Sequence, residues 1–170
     1  MDITPAFPVT GILGLQQGYY IPKGDGGWQQ TDPYQHHDFM AERNQQLGGY
    51  LKSFVRKLKR WNNVHSRRLK SFHLEVMAQA VFSTLGSNSR EAFEVFFANA
   101  SYYLHVNDPT GYSGDLAGSL SQNQIQAITQ SFSTALDHVG RARTAEGEGD
   151  IAEALRQWRI VFGSEFPAYG

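Results

Sequence analysis

Lys59 closes a row of otherwise apolar positions, four residues after Val55 and eight after Leu51, and a little further on Ser71 and Phe72 stand side by side. A lysine on the rim of a buried helix face lays its methylenes along the core and presents its ammonium at a crevice, where it is a point charge for a phosphate. A serine and an aromatic at a helix start put a hydroxyl and a ring face where free N–H groups and the helix dipole favour anions. Together these groups can hold a polyphosphate beside a flat base. Each has a plainer reading: Lys59 as a solvated rim residue, Ser71 as an N-cap and Phe72 as core.

Other titratable residues in this stretch point to structure. Glu75 interrupts an apolar helix, and a carboxylate there needs a cation; Arg56, Arg60, Arg67 or Arg68 would supply it, giving an ion pair in preference to a catalytic acid. His73 and the adjacent His36 and His37 have no third ligand at a metal-binding spacing and read as ordinary polar residues.

Charge supports an anion site on one surface only. Net charge is -1, yet eight of the 15 Lys and Arg lie between Lys52 and Lys70, and no Asp or Glu occurs from Arg43 to Leu74. The local field is what an anion feels, while the overall balance argues against a nucleic-acid coat. A protein binding nucleic acid through this cluster would lose affinity steeply with salt.

The elements that must position these groups follow from periodicity. Apolar residues at Leu47, Tyr50, Leu51, Phe54, Val55, Leu58 and Trp61 describe one helix face, with Asp38 as an upstream cap. A second helix, about Phe72 to Leu85, is apolar almost all round and central. Asn88 with Glu91 caps a third that carries Phe93, Phe96, Phe97, Ala100 and Leu104. Asn107 to Gly118 is a loop. Ser121 with Gln124 opens a long helix broken at Glu146–Gly149, and Asp150 with Glu153 opens the last one.

Residues 1–37 read as strand and turn: a short Pro-broken strand, then Tyr19–Pro22 and Trp28–Thr31 flanking the loop Lys23–Gly27. The expected fold is mainly α, five helices over residues 38–170 with a small N-terminal β remnant over residues 1–37. Strands without neighbours would be mobile or would pair with a second molecule. At 170 residues and 41% hydrophobic content the chain can bury a core. It has no cysteine, no apolar run of the roughly 20 residues that span a bilayer, and no signal-peptide pattern at its start. The expectation is a cytoplasmic protein without a membrane partner.

Three segments resemble the C-terminal part of the nucleotidyltransferases that include oligoadenylate synthetase, cyclic GMP–AMP synthase and the bacterial anti-phage cyclic-oligonucleotide synthetases. They are Met1-Asp-Ile-Thr-Pro-Ala-Phe7; Val55-Arg-Lys-Leu-Lys-Arg-Trp-Asn62 with Leu69-Lys-Ser-Phe-His-Leu-Glu-Val76; and the ending Ala154 to Pro167, with its Trp, Phe-Gly and Phe-Pro. Tyr20-Ile-Pro22, Trp28 and Thr31-Asp-Pro33 are similar to the bacterial members as well.

The resemblance implies that Lys59 touches the donor triphosphate, Ser71 lies beside the nucleotide and Phe72 packs on its base. It also implies that Asp2 is the last of three carboxylates holding two magnesium ions. The family's Gly-Ser turn and Asp-x-Asp pair are missing: no Asp-x-Asp occurs anywhere in the chain. One aspartate cannot organise a two-metal site, so the chain alone is expected not to transfer nucleotides. Two readings remain. One is the nucleotide-binding half of a second-messenger synthetase acting on nucleoside triphosphates, its catalytic half missing. The other is a stand-alone, non-catalytic module that binds a nucleotide or completes a partner's site.

Overall fold

A computed structural model describes residues 5–23 and 26–167, so Asp2 and the middle of the loop Lys23–Gly27 lie outside the described residues. Three short strands lead the chain: β1 (Phe7–Thr10), β2 (Gln16–Pro22) and β3 (Trp28–Thr31), in the antiparallel order β1-β2-β3. The register Phe7↔Tyr20 and Pro22↔Trp28 puts three aromatic rings on one sheet face. Side chains two apart on a strand share a face, so Tyr20 and Pro22 carry Phe7 and Trp28 with them. All three rings are about half exposed, and Phe7 meets Trp28 edge-on at 5.0 Å.

Six helices follow among the described residues: α1 (Pro33–Gln46), α2 (Leu51–Val64), α3 (Ser71–Val81), α4 (Ser89–Asn99), α5 (Gln122–Glu148) and α6 (Ile151–Phe162). The expected count was five. The difference is α1, which begins upstream of Asp38 and buries Met40 alone of its side chains. A helix that polar carries almost no apolar period to read. Its cap is Asp32, whose carboxylate accepts the Gln35 N–H, with Pro33 in the first turn. Gly48 and Gly49, both at positive φ, separate it from α2.

The other starts match the sequence signals. Ser121 and Gln124 form a reciprocal capping box, Asn88 accepts from the N–H groups of Arg90 and Glu91, and Asp150 accepts from that of Glu153. Gly149 turns left-handed between α5 and α6, so the two run back along each other. Two ends fall short of expectation. α3 stops at Val81, where Phe82 turns extended, and α4 stops at Asn99, leaving Leu104 buried in the following turns.

The core lies among the helices. Leu51, Phe54, Val55, Leu58 and Trp61 of α2 are buried, as the sequence period requires. Phe54 meets Phe93 at 4.7 Å, and Trp61 meets Phe97 at 4.9 Å and Phe132 at 5.7 Å. Each fully buried large apolar side chain is worth about 1.5–3 kcal/mol, against 0–1 kcal/mol for an exposed ion pair. The position of α3 against α2 is therefore set by side chains such as Leu58, Leu74 and Met77, all fully buried. Polar contacts at the surface follow from that packing.

Candidate functional site

The turn between α2 and α3 builds the site. Asn62 is buried at the end of α2 and grips Leu69 from both sides: its Nδ2 donates to Leu69 O at 2.8 Å and its Oδ1 accepts from the Leu69 N–H at 3.2 Å. The chain between them reverses through Ser66 (φ 74°) and Arg67 (φ 47°), and the Arg67 N–H returns to Asn62 O at 2.8 Å. Left-handed backbone is disfavoured for residues with a Cβ, so this turn is held by the bonds around it. The result places the start of α3 beside the basic face of α2.

Lys70 is the N-cap of α3, and it makes no side-chain capping bond. Ser71, expected as the cap, is instead the first helical residue. It is exposed, and its hydroxyl is not spent on the backbone N–H groups that open the helix. Those groups remain available to an acceptor. Ser71 lines a cavity of about 420 Å³ together with Asn62, Arg67, Arg68, Lys70 and His73. Neither Lys59 nor Phe72 lines that cavity.

Lys59 reaches α3 one turn further along. Its ammonium pairs with Glu75, both side chains being partly exposed (33% and 25%). Glu75 was expected to find an arginine. It pairs with the lysine instead, while Arg60 turns to the C-terminal end, donating Nε to Phe162 O at 3.0 Å and pairing with Glu165 at 2.7 Å. Lys57 donates to Ser89 Oγ at 2.5 Å. Among the described residues Lys52, Arg56, Arg67, Arg68 and Lys70 have no acidic partner. The positive field predicted from sequence is thus left uncompensated around the start of α3.

Phe72 is partly buried and packs on the core. Its ring is stacked with the imidazole of His36 from α1, with centroids 4.2 Å apart and planes 21° from parallel. His36 Nε2 lies 3.2 Å from both Asp108 Oδ1 and Thr110 Oγ1. Asp108, buried in the loop after α4, also accepts the Thr110 N–H at 2.9 Å and hydroxyl at 2.7 Å, and the Ser113 N–H at 3.1 Å. Burial pushes the Asp108 carboxyl up, but these hydrogen bonds and the nearby imidazole outweigh it and hold the carboxyl below its usual range.

The sequence reading missed this second layer. His36 looked like one of two ordinary histidines and Asp108 like a loop residue, and neither has a spacing that ties it to Phe72. His73, expected as an ordinary polar residue, is buried and bonded to Leu104 O at 2.7 Å. Among the described residues no three His, Asp or Glu side chains converge in a way that would hold a metal ion. No described helix is long and apolar enough to cross a membrane.

No family model matches the chain. It is 31% identical, over 173 residues, to a probable cyclic nucleotide synthase of Bacillus cereus (strain VD146). That likeness takes in 99% of this chain and 52% of the relative. In fold it is similar to CdnC of E. coli MS115-1, solved with ATP, with a TM-score of 0.78 and 21% identity over 98% of this chain and 60% of that one. It is also similar to the cyclic AMP–GMP synthase DncV of Vibrio cholerae, solved with the linear intermediate pppA(3',5')pG. There the TM-score is 0.70, at 16% identity, over 88% of this chain and 41% of that one. The chain spans about half the length of the curated relative it matches. In sequence the chain is thus similar to a probable bacterial cyclic nucleotide synthase over about half of that relative, and it shares the fold of CdnC and DncV.

Proposed function

We propose that this chain is the helical, nucleotide-binding half of a nucleotidyltransferase that joins nucleoside triphosphates into linear or cyclic oligonucleotides, and that it is not catalytic by itself. One observation carries this reading: the likeness to a cyclic nucleotide synthase takes in nearly all of this chain but only 52% of the relative. The chain also has no Asp-x-Asp pair.

In this reading Lys59 supplies the charge for the donor triphosphate, exchanging part of its contact with Glu75 for a phosphate oxygen. The Ser71 hydroxyl and the open N–H groups of α3 lie beside the phosphates, and Phe72 carries the base. Asp2 would be one ligand of magnesium in a site completed by carboxylates from elsewhere; the described residues do not form such a site alone. When bound, the metal would supply positive charge that stabilises the triphosphate for attack by a ribose hydroxyl. This chain's part is to bind and orient the nucleotide.

The test is a titration of ATP with magnesium into the chain, followed by NMR, with Lys59→Ala and Phe72→Ala as variants. Weakened binding in both supports the assignment; unchanged affinity in both refutes it. Chromatography of the same mixtures should show no oligonucleotide product, and product formation by the pure chain would overturn the claim of inactivity.

A further inference from the structure

We infer that His36 occupies, in the nucleotide-free protein, the place a base takes on Phe72, and that binding a nucleotide requires its imidazole to swing away. This rests on the reading of Phe72 as the base platform and adds the residue that controls access to it.

The first argument is room. Phe72 packs on the core, and the imidazole covers its ring at stacking distance. A centroid separation of 4.2 Å and a tilt of 21° make this a stacked pair of rings. A base could avoid Phe72 by stacking on the outer face of His36, but that side chain is only 19% exposed. A base that reaches Phe72 must displace the ring already there.

The second argument is chemical likeness. Imidazole is a flat nitrogen heterocycle, and here its Nε2–H is directed at Asp108 Oδ1 and Thr110 Oγ1. A nucleobase lying on Phe72 would bring a ring or exocyclic N–H to its edge in the same way. The carboxylate that receives His36 is then the acceptor such a base would meet. The contacts of His36 are those of a base analogue supplied by the protein.

The third argument is that the ring can leave without stranding its partner. An unpaired buried carboxylate oxygen would oppose the motion. Asp108 avoids this, because the Thr110 N–H and hydroxyl remain on Oδ1 and the Ser113 N–H on Oδ2. His36 itself sits near the start of α1, just after the Asp32 cap, and the motion asked of it is a change of side-chain rotamer.

NMR on the wild-type chain tests this directly. Ring protons of His36 are displaced by the ring current of Phe72, and saturation with ATP should move them to positions typical of a solvated histidine. Inorganic tripolyphosphate, which has no base, should bind through Lys59 and leave them in place. His36→Ala should bind ATP several-fold more tightly than wild type, with tripolyphosphate affinity unchanged. If ATP binds with dependence on Phe72 while the His36 resonances stay put, or if His36→Ala binds ATP equally or more weakly, the displacement is refuted and the nucleotide reading survives. If neither ATP nor tripolyphosphate binds, both fail. Should His36→Ala not fold, the wild-type resonances still decide.

Discussion

Lys59 of α2 forms an ion pair with Glu75, which follows Phe72 by three residues on α3. Both members are partly exposed, and such pairs contribute about 0–1 kcal/mol to stability. We expect Lys59→Ala to leave the unfolding midpoint nearly unchanged and to weaken tripolyphosphate binding about tenfold, the size of one charge-assisted contact of about 1.5 kcal/mol. Glu75→Gln removes the competing carboxylate and should bind tripolyphosphate at least as tightly as wild type. A purely structural pair would show the same small stability change in both variants and no change in binding.

Phe72→Leu separates packing from stacking. Leucine keeps an apolar side chain against the core, at the cost of the small cavity left where the ring was. It has no flat face. We expect ATP affinity to fall by about 1–3 kcal/mol, the usual worth of a base–aromatic stack. Urea unfolding and an ATP titration on the same preparation check both halves.

Acid should weaken the fold through His73. Burial lowers its pKa most, with Lys70 and His105 adding to that, and the bond to Leu104 O and the charge of Asp115 oppose it only in part. The unfolded chain has an ordinary histidine near pH 6.5. Above that pH neither state is protonated at this ring. As pH falls through it, the unfolded state takes a proton the folded state refuses, so stability drops. We expect the urea midpoint to decline from pH 7 to pH 5.5, and His73→Gln to reduce that slope. A slope identical to wild type would remove His73 as the cause.

Gly163 should tolerate no side chain. Its backbone (φ 88°, ψ 173°) lies in a region open essentially to glycine, and a Cβ there would stand 2.9 Å from Val64 Cγ1. Strain alone costs about 1–3 kcal/mol. Gly163→Ala should therefore lower the unfolding free energy by an amount in that range, read as a lower urea midpoint. It should also loosen the end of the chain, where Phe166 stacks on Phe162 at 5.7 Å and Glu165 pairs with Arg60. Increased proteolysis after residue 163 would register that loosening.

The helices that carry the core were legible because their signals are local. The spacing of Leu51, Phe54, Val55, Leu58 and Trp61 states which face of α2 is buried, and the Ser121–Gln124 box states where α5 begins. Where a helix has little apolar pattern, as in α1, that signal vanishes, and the start is marked by Asp32-Pro33 and not by Asp38. The end of α3 was misplaced for another reason. Arg43 of α1 donates to Gln79 O and Phe82 O, satisfying carbonyls that a longer helix would have bonded internally. That choice depends on a side chain from a different helix.

The order of the residues alone determined the periods, the caps and the concentration of positive charge, since each depends on neighbours within a turn or two or on simple counting. Tertiary packing decided which partner each functional group meets. Lys59 finds Glu75 across 16 positions, and His36 reaches Asp108 across 72. Those meetings are fixed by how buried faces fit together, and the fit is set by the whole core at once. Spacing along the chain carries no record of it.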